Sequence, residues 1–229
     1  MAAPVADAGA PPSVAVRTIA ARVHGRYLVE PADRPGPAPL LVGFHGYGEH
    51  AERHLADLRR IPGSARWVRV AVQALHRHYS ADRRHVVGSW MTRQDRDLAK
   101  ADNIAYVRDV VSAVRRDCDT EGRVVYCGFS QGVAMAYRAA RRAGHPCRGV
   151  IALAGDVPPE LMDEPGGDWP PVLVGRGTTD AWYTEEKMTA DLAFLERVEA
   201  RVTPFVFDGG HAWTDAIRAA AGRFLASVS

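Results

Sequence analysis

The chain of 229 residues has the length of one α/β domain and can bury a large core, and its 47% apolar and 24% charged residues are those of a globular protein. A net charge of +2 argues against a dedicated nucleic-acid or membrane-surface binder, which would concentrate positive charge; the arginines gathered in 53–69 and 83–96 read as solvated faces and loops. Cys118, Cys127 and Cys147 are odd in number and match no zinc spacing, which suits a reducing compartment, with Cys127 a small core residue.

The N-terminus lacks a cationic start followed by an apolar run, and no stretch approaches the ~20 apolar residues of a membrane span. A cytoplasmic protein that does not insert into membranes is the expectation. Residues 1–13, Ala, Pro and Gly with one charge, read as a mobile tail ahead of a single domain over 14–229. Val14 to Glu30 is strand-like on both sides of His24-Gly25 and predicts a hairpin. Four prolines and a glycine between Pro31 and Pro39 make a loop. Leu40 to Phe44 is a continuous apolar run, hence a strand buried on both faces, and it ends in His45-Gly46-Tyr47-Gly48.

Ala51, Leu55, Leu58 and Ile61 recur at helical spacing until Pro62-Gly63 stops them. Trp67 to Ala74 reads as a strand, and Leu75 to about Arg96 as a loop rich in His and Arg. A long amphipathic helix carries Ile104, Val107, Val111 and Val114 on one face. Val124 to Cys127 is a short buried strand that runs into Gly128-Phe129-Ser130-Gln131-Gly132, and Val133 to Arg142 reads as the helix after it. Gly149 to Ala154 is the next strand, Gly155 to Pro171 a loop, and Val172 to Gly175 a short strand. Thr184 caps a helix with Glu185 and Glu186 in its first turn and Met188, Leu192 and Leu195 on its apolar face. Val202 to Phe207 is the last strand, and a helix with Ile217, Ala220, Phe224 and Val228 closes the chain. Strands alternating with helices predict a mostly parallel central sheet with helices on both faces.

Strand, G-x-S-x-G and helix together make the context of a nucleophile elbow. The turn is sharp enough that side chains at Gly128 and Gly132 would collide with the neighbouring strand and helix, and Ser130 is left on a strained backbone at the edge of the sheet. In such a sheet chemistry collects at the C-terminal ends of the strands. Those ends carry His45-Gly46-Tyr47, Ser130, Gly177-Thr178-Thr179-Asp180 and Gly209-Gly210-His211. The order Ser, acid, His is that of a Ser-His-Asp hydrolase. His211 would take the Ser130 proton and return it to the leaving group; Asp180 would hold its tautomer. Asp156, in Ala-Gly-Asp after the preceding strand, competes for the acid role, but Pro158-Pro159 suggests a loop that bends away. The Tyr47 and Gln131 N–H groups are the oxyanion donors, and His45 braces their loop. A zinc site on His50, Glu52 and His54 is the rival chemistry, but H-E-x-x-H is absent because the Glu is misplaced, so no metal is expected.

Phe44-His45-Gly46-Tyr47-Gly48, Gly128-Phe129-Ser130-Gln131-Gly132, Gly177-Thr178-Thr179-Asp180 and Gly210-His211 together resemble the phospholipase/carboxylesterase family of α/β-hydrolases, which includes acyl-protein thioesterase-like enzymes and small serine carboxylesterases. The resemblance runs from about residue 38 to the end. It implies the α/β-hydrolase fold, a serine esterase or thioesterase without cofactor, a Ser130, Asp180 and His211 triad, and an oxyanion hole at Tyr47 and Gln131. Val133 stands where the family often has a second glycine, and Ala181-Trp182-Tyr183-Thr184 where it often has Val-Pro. Ester hydrolysis through an acyl-enzyme is therefore expected, on a small-molecule ester or thioester. A thioesterase or acyltransferase with the same triad, or a hydrolase-fold protein that only binds, are the alternatives. Trp90, Trp182, Trp213 and Tyr47 lie near strand ends that should surround Ser130, and predict a short apolar pocket with polar tips.

Overall fold

The computed structural model describes residues 14–164 and 166–229, so the tail expected over 1–13 lies outside the described residues. The elements follow as β1 (Arg26–Glu30), β2 (Ala38–Phe44), α1 (Ala51–Arg59), β3 (Val68–Gln73), β4 (His76–Tyr79), β5 (Val86–Ser89), α2 (Arg96–Asp117), β6 (Thr120–Phe129), α3 (Gln131–Arg142), β7 (Cys147–Leu153), α4 (Pro159–Met162), β8 (Val172–Gly177), α5 (Glu185–Arg197), β9 (Val202–Phe207) and α6 (Asp215–Ser227).

Seven strands form one sheet in the order β1-β3-β2-β6-β7-β8-β9. Among the described residues of this sheet only β1 runs antiparallel to its neighbour; the pairs β3-β2, β2-β6, β6-β7, β7-β8 and β8-β9 are parallel. Continuous apolar runs make these strands because helices cover both faces, and every residue of β2, β3 and β8 is buried. Each fully buried Val, Leu or Phe among them contributes roughly 1.5–3 kcal/mol, which sets the register firmly. From β2 the chain winds outward to β3, then crosses back to β6 and continues to β9. The strand order therefore reverses between β2 and β6, and a crevice opens there above the C-terminal ends. On one side α1 and α6 are joined by Arg218 donating to Asp57 at 2.6 Å, while α2 packs on α3.

Three local expectations give way. No hairpin forms over Val14 to Glu30: only β1 is a strand, and Val14, Val16 and Ile19 are exposed. Their alternation has no core face to bury into. The ring of Tyr106 sits against Gly25, and its hydroxyl donates to the Arg26 carbonyl at 2.7 Å, steering the chain onto α2. The segment from Leu75 is not all loop, because β4 and β5 pair as an antiparallel hairpin. Its first strand is exposed along its whole length, so no apolar periodicity announces it. The loop after β7 contains the short helix α4, begun by Pro158-Pro159.

Candidate active site

Ser130 stands at the C-terminal end of β6, at the strand-order reversal, and is the N-cap of α3 with φ 53° and ψ −123°. Both neighbouring glycines are required by close approach. A Cβ at Gly128 would meet the Gly132 carbonyl and Val133, and one at Gly132 would meet the backbone carbonyls of Phe44 and His45. The Ser130 N–H donates to the Leu153 carbonyl at 2.9 Å, fixing the turn to β7. Positive φ at a serine costs on the order of 1–3 kcal/mol, which the packed β2, β6 and α3 must hold.

His211 follows β9 and Asp180 follows β8, and the structure brings the two side chains together. Nδ1 of His211 lies 3.0 Å from Oδ1 and 2.9 Å from Oδ2 of Asp180. The carboxylate is fully buried, and its Oδ1 also accepts the N–H groups of Trp182 at 2.9 Å and Tyr183 at 3.0 Å. Backbone bonds tie the two loops to each other: Thr178 N–H donates to Phe207 and Thr179 N–H to Gly209, each at 2.9 Å. Gly177 permits this contact, because a Cβ there would strike the carbonyls of Gly209 and Gly210. The imidazole also packs on the ring of Phe129, centroids 5.1 Å apart. Asp156 makes no such contact with His211; it is exposed in the wall of the cleft, its carboxylate 3.4 Å from Lys187 Nζ.

The loop after β2 is held from beneath. His45 is buried, and burial lowers its pKa to about 4, so the ring is neutral near pH ~7. Its Nδ1 lies 2.7 Å from the Gly46 carbonyl and Nε2 accepts the Ala74 N–H at 3.1 Å, which fixes the proton on Nδ1. Gly46 N–H donates to Glu49 Oε2 at 2.9 Å, and Gly48 N–H to the Gly88 carbonyl of β5 at 3.0 Å. The Gln131 side chain is anchored as well. Its Oε1 accepts the Trp90 N–H at 2.9 Å and its Nε2 donates to the Met91 carbonyl at 3.0 Å. Tyr47 and Gln131 thus sit on segments anchored by hydrogen bonds to β5 and the residues after it.

No protein-family model matches the sequence, and no curated protein does either. Solved structures do. The esterase PE8 superposes with a TM-score of 0.70 at 23% identity, over 90% of this chain and 100% of that one. The Bacillus cereus carboxylesterase gives 0.72 at 14%, over 90% and 95%. A phospholipase/carboxylesterase from Dyadobacter fermentans gives 0.67 at 18%, over 89% and 97%. The chain has the α/β-hydrolase fold.

Within that fold Ser130 and His211 line two adjoining cavities. One, of about 470 Å³, opens toward α1 and α6 and includes Gly46, Tyr47, Phe129 and Trp213. The other, of about 370 Å³, opens toward α3, α4 and the start of α5 and includes Gln131, Trp182 and Tyr183. Trp182 and Trp213 are therefore cleft residues, one on each side. Trp90 differs from the expectation. Its indole is 1% exposed, stacks edge-on against Phe44 at 5.4 Å, and donates from Nε1 to the His45 carbonyl at 2.9 Å. It underlies the loop after β2 and does not line the cleft, because it leaves β5 pointing into the core.

His50 and His54 do not share a site. His50 caps α1 by accepting the Arg53 N–H, whereas His54 is buried, with burial pushing its pKa down to about 3. Among the described residues no group of three His, Cys, Asp or Glu is placed to hold a metal ion, and no helix is long and apolar enough to cross a membrane. Cys127 is buried in β6, and burial raises its thiol pKa.

Sequence reading missed two polar supports. Asn103 of α2 donates to the Trp90 carbonyl at 2.7 Å. Asp191 of α5 is buried and accepts the Tyr183 hydroxyl at 2.9 Å and the Val157 N–H at 3.2 Å. A polar residue among the apolar positions of each helix was the available signal.

Proposed function

We propose that this chain is a serine hydrolase that cleaves carboxylic esters of small molecules through an acyl-enzyme, without a cofactor. The observation that carries the reading is the Asp180–His211 contact at 2.9 Å beside a serine held at φ 53° on the strand-to-helix turn. In this reading Ser130 Oγ attacks the ester carbonyl and His211 Nε2 takes its proton. Asp180, acceptor to Nδ1–H, keeps the free electron pair on Nε2 and stabilises the imidazolium. The N–H groups of Tyr47 and Gln131 meet the oxyanion, and the positive end of α3 favours it. Collapse expels the alcohol, which takes the proton from His211; water then repeats the sequence on the acyl-enzyme.

The likeness to esterase and carboxylesterase structures supports ester cleavage, and the structure of a Zea mays acyl-protein thioesterase is also similar, at 16% identity and a TM-score of 0.66. A fluorophosphonate probe should label the wild type and not Ser130→Ala, and the folded variant should lose ester turnover by roughly 10⁴-fold or more. Labelling that persists in folded Ser130→Ala would remove Ser130 as nucleophile. p-Nitrophenyl esters assayed beside acyl-CoAs separate ester from thioester preference.

A further inference from the structure

The two arms of the cleft differ in how their charges are balanced. On the α1/α6 side each arginine has a close carboxylate: Arg53 with Glu49 at 2.9 Å, Arg60 with Asp215 at 2.8 Å, Arg218 with Asp57 at 2.6 Å. On the α3/α4 side the cationic lining residues are Arg96, Arg138 and Lys187, against the carboxylates Asp156 and Glu160. Lys187 pairs with Asp156 at 3.4 Å and Arg138 with Glu160 at 2.7 Å. Lys100 also approaches Glu160 at 3.5 Å, but its own charge is met by Asp97 at 3.0 Å. Arg96 has no ion pair among the described residues. Arg96 is thus the cationic lining residue left without a carboxylate partner.

Arg138 sharpens the point. Its side chain is 2% exposed, yet it lines a cavity that contains Ser130 and His211. Among the described residues its guanidinium uses Nε on Glu160 and one terminal nitrogen, weakly, on the Met91 sulfur at 4.0 Å. A buried guanidinium with donors to spare is costly unless something accepts them, and a planar carboxylate is the group its fork fits.

Resting on the esterase reading, we propose that the arm between α3, α4 and the start of α2 binds a carboxylate carried by the substrate, with Arg138 and Arg96 as the specificity-determining residues. The preferred ester then has one half that ends in a carboxylate a few bonds from the scissile carbonyl. Val157, Pro158 and Pro159 line the same cavity and suit a short methylene spacer.

The test compares matched esters by pH-stat: monoethyl succinate against ethyl 4-methylpentanoate, and acetoxyacetate against isobutyl acetate, which place the carboxylate on the acyl or the alcohol side. Wild type should favour the charged member of at least one pair by about tenfold or more in kcat/KM, falling as salt rises. Arg96→Gln and Arg138→Gln should each lower that ratio by about tenfold, mainly through KM. Should Arg138→Gln fail to fold, Arg96→Gln on the exposed rim decides. Succinamate, an unreactive amide, should bind wild type in calorimetry and 4-methylpentanamide more weakly. Hydrolysis of the neutral esters with no charge preference overturns the proposal and leaves the esterase reading standing. If neither pair is hydrolysed, the esterase reading falls, and the presence or absence of succinamate binding alone decides the anion site.

Discussion

Replacing Asp180 by Asn tests the acid assignment sharply, because the geometry dictates how the amide must sit. Oδ1 of Asp180 accepts two backbone N–H groups, from Trp182 and Tyr183, and also lies 3.0 Å from His211 Nδ1, whereas Oδ2 faces only His211, at 2.9 Å. In Asp180→Asn the amide oxygen must stay with the backbone donors, since an NH₂ there would face two N–H groups. Flipping it would lose two hydrogen bonds at about 1 kcal/mol each and bury clashing donors at about 1–3 kcal/mol more. The NH₂ therefore takes the place of Oδ2, 2.9 Å from His211 Nδ1, and demands an acceptor there. A preference of about 3 kcal/mol fixes this amide orientation, and the NH₂ at the Oδ2 position then competes with the retained oxygen, 3.0 Å from Nδ1, for the imidazole. In the tautomer that accepts from the NH₂, Nε2 carries the proton and cannot take another from Ser130. Losing the negative charge beside the imidazolium adds to this, so kcat on a short p-nitrophenyl ester should fall by about 10⁴-fold with KM little changed. Circular dichroism and the thermal midpoint check that the fold survives. Asp156→Asn, at an exposed carboxylate paired with Lys187, should cost far less. A larger loss in Asp156→Asn than in Asp180→Asn would refute the reasoning.

Trp90→Phe strips the indole N–H from the buried His45 carbonyl, so it should destabilise the protein by about 1–3 kcal/mol and lower kcat through the loosened loop; an unchanged urea midpoint and kcat would show the bond to be idle. Acetyl to hexanoyl esters should be turned over better than palmitoyl ones, and Trp182→Ala or Trp213→Ala should raise KM, an indole face against substrate being worth roughly 1–3 kcal/mol. Equal kcat/KM for short and long chains, with both variants unchanged, would count against both tryptophans. Burial raises the Asp191 carboxyl to about 7, above its unfolded value near ~4, so its contribution to stability is complete below about pH 4 and lost as pH rises through about 7. Asp191→Asn should flatten that loss in urea midpoints taken at about pH 5 and about pH 8; an unaltered slope would mean that Asp191 does not titrate there. His45 and His54, lowered by burial to about 4 and about 3, act in the opposite sense: their contribution is present above about pH 6.5 and disappears as pH falls through those values.

The sheet was legible because parallel strands buried on both faces have to be written as unbroken apolar runs, and β2, β6 and β8 are such runs. Ser130 and Asp180 each follow one of those runs, whereas His211 follows β9, whose burial is only partial. Glycines mark the places where backbones come too close for a side chain, as at Gly128, Gly132 and Gly177. The β4–β5 hairpin was not legible, since its first strand buries nothing and so bears no period. Nor was the missing hairpin before β1, where alternation without a partner surface mimics a strand.

What chain order cannot convey is the direction of a side chain at a strand end, and the cleft depends on it. Gln131 adjoins Ser130 in the sequence, and Trp90 stands in a segment expected to reach over the sheet edge. Trp90 turns inward to hold the His45 carbonyl, and the Gln131 side chain turns back to bind residues 89–91. Both serve as scaffolding, so the polarity of the pocket is set by residues that carried no signal as site residues. Arg138 is the clearest case. It stands on the helix after the elbow, two turns beyond Ser130, where an arginine would ordinarily reach solvent. Glu160 on α4 instead holds its guanidinium inside the wall of the cleft. A pocket inferred from tryptophans alone would be apolar. The same pocket with Arg138 in its wall selects for charge, and the ratio between the succinate and 4-methylpentanoate esters separates these two descriptions directly.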